Sequence, residues 1–161
     1  MVTGCAVGSP VPTTAPPAGR IVPFWTLVRG FRLGGNLSQP LLMVAVDAPS
    51  RDIVAALLSP EHRVLAERVD LRQEALFAVF SATTPYGGYS ITINAIAVAD
   101  AEIVVDVTLL QDDPAFPKIE AATLPYHLVT VDRSALPQKS DWRYRLVSGD
   151  RLLAAGSPSP R

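Results

Sequence analysis

From residue 75 onward the chain is a succession of short apolar segments separated by turn-forming residues, and this pattern restricts its possible folds more than any other feature. The segments of strand length are residues 75–80, 89–98, 103–110, 126–131, 142–147 and 152–155. Many short strands at this spacing are typical of an antiparallel sheet that folds over on itself. We therefore predict a mainly β fold of the α+β class, arranged as a sandwich or a half-barrel.

The first half of the chain adds two predicted strands, at residues 24–30 and 41–46, and then the only clear helical pattern. Ser50 is a candidate cap, and Ser59 followed by Pro60 is a typical helix start. These signals predict one or two short helices near residues 50–68. The apolar positions expected to face the core are Ile53, Val54, Leu57, Leu58, Val64 and Leu65.

Within the predicted strand at residues 89–98, polar and apolar residues alternate. Side chains in a strand point to opposite faces in turn. We therefore expect two faces, which hold Ser90, Thr92 and Asn94 on one side and Ile91, Ile93 and Ala95 on the other.

The composition indicates one folded domain between two different ends. Residues 1–19 carry no charge and are rich in Pro and Thr, so residues 1–20 are predicted to form a lipobox-like start and a disordered linker. Residues 21–156 contain the apolar segments and are predicted to form a single globular domain. Residues 157–161 are expected to be a disordered tail.

The start of the chain indicates a cellular location. Val2-Thr3-Gly4-Cys5 resembles a bacterial lipobox, in which small residues precede a Cys that receives the lipid. Neither a basic nor a long apolar segment precedes it, so either the true start lies upstream or the chain begins inside the signal. The motif predicts lipidation at Cys5 and an extracytoplasmic protein, either membrane-anchored in the cell envelope or secreted.

Charge and composition exclude several functional classes. Fourteen Lys and Arg against fifteen Asp and Glu give a formal charge of −1, which excludes a general nucleic-acid binder. A single Cys excludes an internal disulfide framework and any multi-Cys zinc site. We expect no cofactor and no metal site.

Catalytic patterns are not evident either. There is no Gly-x-Ser-x-Gly element, and the two histidines have no partner at metal-ligand spacing. His62 is expected to be solvated, and His127 to be a half-buried structural residue. Asp112, Asp113 and Glu120 are expected to form a solvated acidic loop. The sequence therefore predicts that the protein is not an enzyme.

The turn between the strands at residues 75–80 and 89–98 is the best candidate for a binding site. Pro fixes φ there, and the paired glycines permit positive φ and close approach of the backbone. One tyrosine is expected to point outward and the other into the core. The turn is either a rigid aromatic tip that contacts a protein partner or a β-turn with a packing tyrosine. Its candidate binding residues are Thr84, Pro85, Tyr86, Gly87, Gly88 and Tyr89.

The region of about residues 75–136 resembles the C-terminal domain of the protease complex subunit PrcB family. The resemblance is carried by the apolar strand at residues 76–80, the turn and strand start at residues 85–91, the strand at residues 103–110 and the closing segment at residues 124–131. The Gly-Gly-Tyr and Pro-Tyr elements are its most specific parts. This chain departs from the family pattern at Tyr86, where Thr is usual, and at Ala82, where Gly is typical.

The resemblance implies a non-catalytic cell-envelope accessory protein, often a lipoprotein, that associates with and supports a secreted serine protease. Two alternatives stay open. The turn is distantly similar to a loop of chagasin-type protease inhibitors, which are immunoglobulin-like sandwiches. A small-ligand or polysaccharide binder could instead use Trp25, Trp142 and the tyrosines as stacking platforms.

Overall fold

The computed structural model describes residues 19–138 and 142–156. The predictions for Cys5, for the linker before residue 19 and for the tail at residues 157–161 lie outside these ranges. The strands in chain order are β1 (Arg20–Ile21), β2 (Trp25–Leu33), β3 (Leu41–Ala45), β4 (Glu74–Phe80), β5 (Ser90–Ala99), β6 (Glu102–Leu110), β7 (Thr123–Asp132), β8 (Arg143–Ser148) and β9 (Arg151–Gly156). The helices are α1 (Ala48–Ala56) and α2 (Pro60–Glu67), and Arg133–Ala135 form a 3₁₀ turn.

The strands form two sheets. One sheet has five strands in the order β1-β5-β6-β8-β9, and the other has four in the order β2-β7-β4-β3. The pairs are antiparallel except β6 and β8, which run parallel. That exception arises because the chain leaves the first sheet after β6, contributes β7 to the second sheet and then returns. The predicted mainly β fold with a folded-over, largely antiparallel arrangement is confirmed.

The four-stranded sheet is covered on both faces. One face packs against the five-stranded sheet, where Phe77 and Val129 meet Ile93 and Val105. The opposite face packs against the helices, where Tyr126 and its neighbours meet the helical side chains. Strands β4 and β7 are therefore buried on both sides, which explains why their sequences are continuous apolar runs rather than alternating ones.

Two helices are present, as predicted, but their details differ from the expectation. Asp47 is the N-cap of α1, and it exchanges hydrogen bonds with Ser50, which is the third helical residue and not the cap. Ser59 precedes α2 and Pro60 begins it, as predicted. Ile53 is 58% exposed and Val64 is also exposed, whereas Ala55 and Ala66 are buried. The expectation that Ile53 and Val64 face the core is therefore wrong.

The expected alternation along β5 breaks in the middle of the strand. The pairing of β5 with β6 is irregular between Ile93 and Ala95, where β5 holds an extra residue. After this bulge Ile96 and Val98 belong to the core between the sheets, Ala97 is also buried, and Ala95 is only partly buried. The prediction that Ala95 continues the core face of Ile91 and Ile93 is therefore wrong.

In the described ranges neither α1 nor α2 has the length and apolar character needed to cross a lipid bilayer.

Candidate functional site

Residues 84–89, which we call the tyrosine turn, lie in the connection between β4 and β5 and are fixed by backbone hydrogen bonds at both ends. At the start, Thr84 N–H donates to Thr123 O over 2.8 Å and Thr123 N–H donates back to Thr84 O over 3.0 Å. At the end, Gly87 N–H donates to Ile119 O, and Gly88 O accepts from Asp113 N–H, each over 2.7 Å. The loop after β6 therefore holds the turn in one conformation.

The two glycines of the turn are required for different reasons. A Cβ atom on Gly87 would lie 2.7 Å from both Pro117 O and Ile119 N, so the close approach of the two backbones leaves no room for a side chain. Gly88 has a φ of +92°, a conformation that L side chains rarely adopt. The Gly-Gly pair is thus explained by the docking of this turn on the loop.

The turn presents two tyrosines at the surface. The ring centroids of Tyr86 and Tyr89 lie 5.3 Å apart, and Tyr89 donates its hydroxyl hydrogen to the Tyr86 hydroxyl over 3.3 Å. Gln111 Nε2 also donates to the Tyr86 hydroxyl. Tyr86 is 42% exposed and Tyr89 is partly exposed, so the expectation that one of them enters the core is wrong. The hydrogen bond to Tyr86 raises the pKa of Tyr89, so its ring stays neutral near pH 7.

Asp113 is the main anchor of the loop that supports the turn. Its carboxylate accepts from Ser90 Oγ over 2.6 Å, from Ala115 N–H over 2.9 Å and from Arg29 Nη2 over 3.3 Å. The hydrogen bond from Ser90, followed by that from Ala115, holds the pKa of Asp113 below its usual value. Asp113 is only 7% exposed, so the expectation that it is solvated is wrong.

The other acidic residues of this loop behave as expected. Asp112 is largely exposed and pairs with Lys118 at 3.2 Å, and Glu120 is exposed. Among the described residues, no three His, Cys, Asp or Glu side chains are grouped closely enough to hold a metal ion.

A groove of about 650 Å³ lies beside this loop. Its floor is formed by residues 29–33 of β2, one wall by residues 115–117 and Ile119 of the loop, and the other wall by residues 59–62 at the start of α2. The loop wall is aromatic, because the rings of Phe31 and Phe116 meet edge to face at a centroid distance of 6.2 Å. No local pattern in the sequence marks this groove, because its three parts are far apart along the chain.

His62 lies in the helix-side wall of the groove and its side chain is only 21% exposed, so the expectation that it is solvated is wrong. Its Nδ1 atom lies 2.6 Å from the Tyr126 hydroxyl, which also lies 3.0 Å from Ser59 Oγ. Gly30 makes room for the imidazole, since a Cβ atom there would lie 2.6 Å from His62 Cε1. Burial raises the pKa of Tyr126, so its hydroxyl stays protonated. Ser59 and His62 both bond to Tyr126 rather than to each other, so His62 is not placed as a base for Ser59.

His127 is more deeply buried than predicted and bridges the two sheets. Its Nδ1 atom accepts from Ile93 N–H over 2.9 Å, so Nε2 carries the proton and donates to Thr26 Oγ1 over 3.0 Å. Burial lowers the pKa of His127 to about 4. The side chain is therefore neutral near pH 7, and both of its ring nitrogens are used to hold the structure together.

The two tryptophans differ in exposure and do not form a common ligand-stacking surface. Trp25 is 59% exposed at the start of β2, whereas Trp142 is buried in the core between the sheets. A stacking platform built from both indole rings is therefore not formed.

Comparison with known proteins relates part of the chain to a family. No curated protein and no solved structure matches the chain significantly. Residues 76–132 match the family model described as PrcB C-terminal. This segment runs from β4 to β7 and contains the tyrosine turn, the Asp113 loop and Tyr126. The resemblance of this part of the chain to the PrcB C-terminal family is therefore confirmed.

Proposed function

We propose that the protein is a non-catalytic accessory subunit that associates with a secreted serine protease and supports its assembly. The match of residues 76–132 to the PrcB C-terminal family supports a protein related to a protease complex. The observation that carries the proposal is the tyrosine turn inside that segment. Its backbone is fixed at both ends, and it holds two tyrosines at the surface.

Such a turn suits protein recognition for a physical reason. Aromatic side chains bury a large area when they bind, and they are enriched among the residues that dominate binding energy. Because the turn is already ordered, little conformational freedom is lost on association.

We further propose that Cys5 is lipidated and holds the protein at the extracytoplasmic face of the cell envelope. This part of the proposal rests on the lipobox-like sequence Val2-Thr3-Gly4-Cys5. A lipid anchor would restrict the protein to the membrane surface and raise its local concentration near a partner held there.

The proposal is tested by deleting the gene and labelling mature secreted serine proteases with a fluorophosphonate probe. We expect the deletion to weaken one labelled protease, and the wild-type gene to restore it. The Tyr86→Ala variant is expected to restore much less. Trp25→Ala is the matched control, because it removes an exposed aromatic side chain outside the turn and is expected to restore labelling fully. Cys5→Ser is expected to abolish incorporation of a labelled fatty acid.

Three results would contradict this proposal or its assignment to the tyrosine turn. If the deletion leaves every labelled protease unchanged, the protein does not support protease maturation. If the deletion increases labelling instead, the protein acts as an inhibitor, which is the alternative that the chagasin-like turn suggests. Restoration by Tyr86→Ala equal to that by Trp25→Ala would exclude the tyrosine turn as the contact.

A further inference from the structure

The outer edge of β2 forms the floor of the groove described above. β2 lies at the end of the four-stranded sheet and pairs with β7 on one side. In the part of the chain that the structure describes, no strand pairs with its other side. Edge strands of this kind expose backbone groups that can pair with an extended segment from elsewhere.

The direction of these backbone groups follows from the neighbouring hydrogen bonds. Ser81 N–H donates to Pro125 O, so the odd-numbered residues of β7 direct their backbone groups toward β4. Gly34 N–H donates to Ala122 O, so the even-numbered ones face β2. Backbone groups alternate in direction along a strand. In β2, Gly30 and Arg32 lie opposite the even-numbered residues Tyr126 and Leu124, so their backbone groups point toward β7. The backbone groups of Arg29, Phe31 and Leu33 therefore point away from β7 and into the groove.

The two walls of the groove differ in chemistry. On the loop side, Phe31, Phe116 and Ile119 form an apolar surface. On the helix side stand Arg32 and His62. A strand added to β2 would point its side chains to these walls in turn, so it would meet an apolar surface and a polar one at alternating positions.

The charge of the helix side favours an acidic occupant. Arg32 is held at this wall by a hydrogen bond from Nη1 to Ala56 O over 3.1 Å. The positive end of α2 also faces the groove, and Ser59 does not cap it through its side chain. Glu61 is the opposing charge at this wall, and its side chain is 79% exposed to solvent.

We propose that the β2 edge binds, by strand addition, an extended peptide segment in which apolar and acidic residues alternate. The backbone of the segment would pair with Arg29, Phe31 and Leu33. Its apolar side chains would contact the Phe31 and Phe116 wall, and its carboxylates would approach Arg32. Tyr86 and Tyr89 do not line the groove, and the proposal does not depend on the function proposed above.

The experiment uses a fluorescent peptide of alternating valine and glutamate, about eight residues long, and a matched peptide of valine and lysine. Leu33→Pro removes an outward N–H donor, and Leu33→Ala is its matched control because it removes the side chain but keeps the N–H. We expect the glutamate peptide to bind the wild type and to bind Leu33→Pro about fivefold more weakly than Leu33→Ala. Arg32→Gln is expected to weaken binding and reduce its salt dependence.

Amide hydrogen exchange adds a readout that does not depend on these variants. Exchange at Arg29, Phe31 and Leu33 is expected to slow when the glutamate peptide is saturating. Tyr86→Ala is expected to leave peptide binding unchanged, so a failure of the protease proposal and a failure of this one can be told apart.

The proposal is overturned if the wild type shows no saturable binding of the glutamate peptide or binds the lysine peptide equally well. It is also overturned if Leu33→Pro and Leu33→Ala bind alike. A dimer that sedimentation detects in the wild type and that Leu33→Pro abolishes would assign the edge to a second copy of the chain, and would likewise overturn it.

Discussion

Tyr126 links the four-stranded sheet to the start of α2. Its ring packs against Phe80 at a centroid distance of 5.9 Å, and its hydroxyl bonds to Ser59 and His62 at the start of α2. Pro125, which precedes it, accepts a hydrogen bond from Ser81 N–H through its carbonyl and has no N–H of its own to satisfy. The Pro-Tyr element of the family pattern therefore has a structural role in this chain.

His127 provides a prediction about pH at the scale of a single residue. Its pKa in the folded state is about 4, whereas an unfolded histidine titrates near 6.5. The unfolded state therefore binds the proton first as the pH falls. The stabilisation is fully present above about pH 6.5 and is lost between about pH 6.5 and 4, by an amount on the order of 3 kcal/mol.

Urea unfolding of the wild type at a series of pH values measures this loss. In His127→Asn, whose amide oxygen can replace the Nδ1 acceptor, we expect a much smaller change over the same range. His62→Asn is the control because it removes the other histidine and leaves both hydrogen-bond partners of His127 in place. A wild-type free energy of unfolding that stays constant from pH 6.5 to 4.5 would contradict this account.

At the scale of secondary-structure elements, the loop after β6 organises both candidate binding surfaces. Asp113 connects it to β5 through Ser90 and to β2 through Arg29. The same loop receives the hydrogen bond from Gly87 and supplies the Phe116 wall of the groove. Loss of this anchor should therefore loosen the turn and the groove together.

Asp113→Asn is predicted to lower the free energy of unfolding by about 2–3 kcal/mol, because three donors lose a charged acceptor in a largely buried site. Asp112→Asn is the matched control, since its ion pair is exposed and Asn tolerates its φ of 60°. We expect a change below about 0.5 kcal/mol for that control. The pKa of Asp113 is lowered, so its contribution is present above about pH 3.8 and is lost as the pH falls further.

Denaturation at pH 7 measures both variants, and amide exchange at Gly87 reports whether the turn has loosened. Equal stabilities for the two variants would show that Asp113 is not the anchor.

The elements that the sequence predicted are those whose signals are local. The strands could be located because their apolar runs and the turns between them are contiguous in the chain. His62 and Asp113 were assigned to solvent because their partners are distant: Tyr126 lies 64 residues from His62, and Arg29 lies 84 residues from Asp113. The bulge in β5 left no local signal, since Asn94 and Ala95 continue the alternation in the sequence even though the pairing shifts there.

At the scale of the whole molecule, the four-stranded sheet contributes to two hydrophobic cores. One core lies between the two sheets, and the other lies between this sheet and the helices. Along β4, Phe77 and Val79 face the other sheet, whereas Leu76 and Ala78 face the helices. Composition and periodicity predicted a sandwich or a half-barrel, but the helical layer on the far face of the four-stranded sheet depends on contacts that no sequence period reveals. Because the two cores share the same strands, we expect them to unfold together.

Leu58→Ala tests this coupling. Leu58 is 1% exposed in the core between the helices and the sheet, so its truncation is expected to cost about 3 kcal/mol. Ile53→Ala, at an exposed position on α1, is the matched control and should cost less than about 0.5 kcal/mol.

Trp142 is a fluorescence probe for the core between the two sheets, and it can be followed in the same experiment. It lies in the core between the sheets, and the chain has only one other tryptophan, the exposed Trp25. In a Trp25→Phe background, the fluorescence of Trp142 therefore reports the sandwich, while amide exchange within α1 and α2 at each urea concentration reports the helices. If the layers form one cooperative unit, Leu58→Ala moves both transitions to the same lower urea concentration. A helix signal lost first, with Trp142 unfolding as in the wild type, would instead mean that the helices are an independent layer.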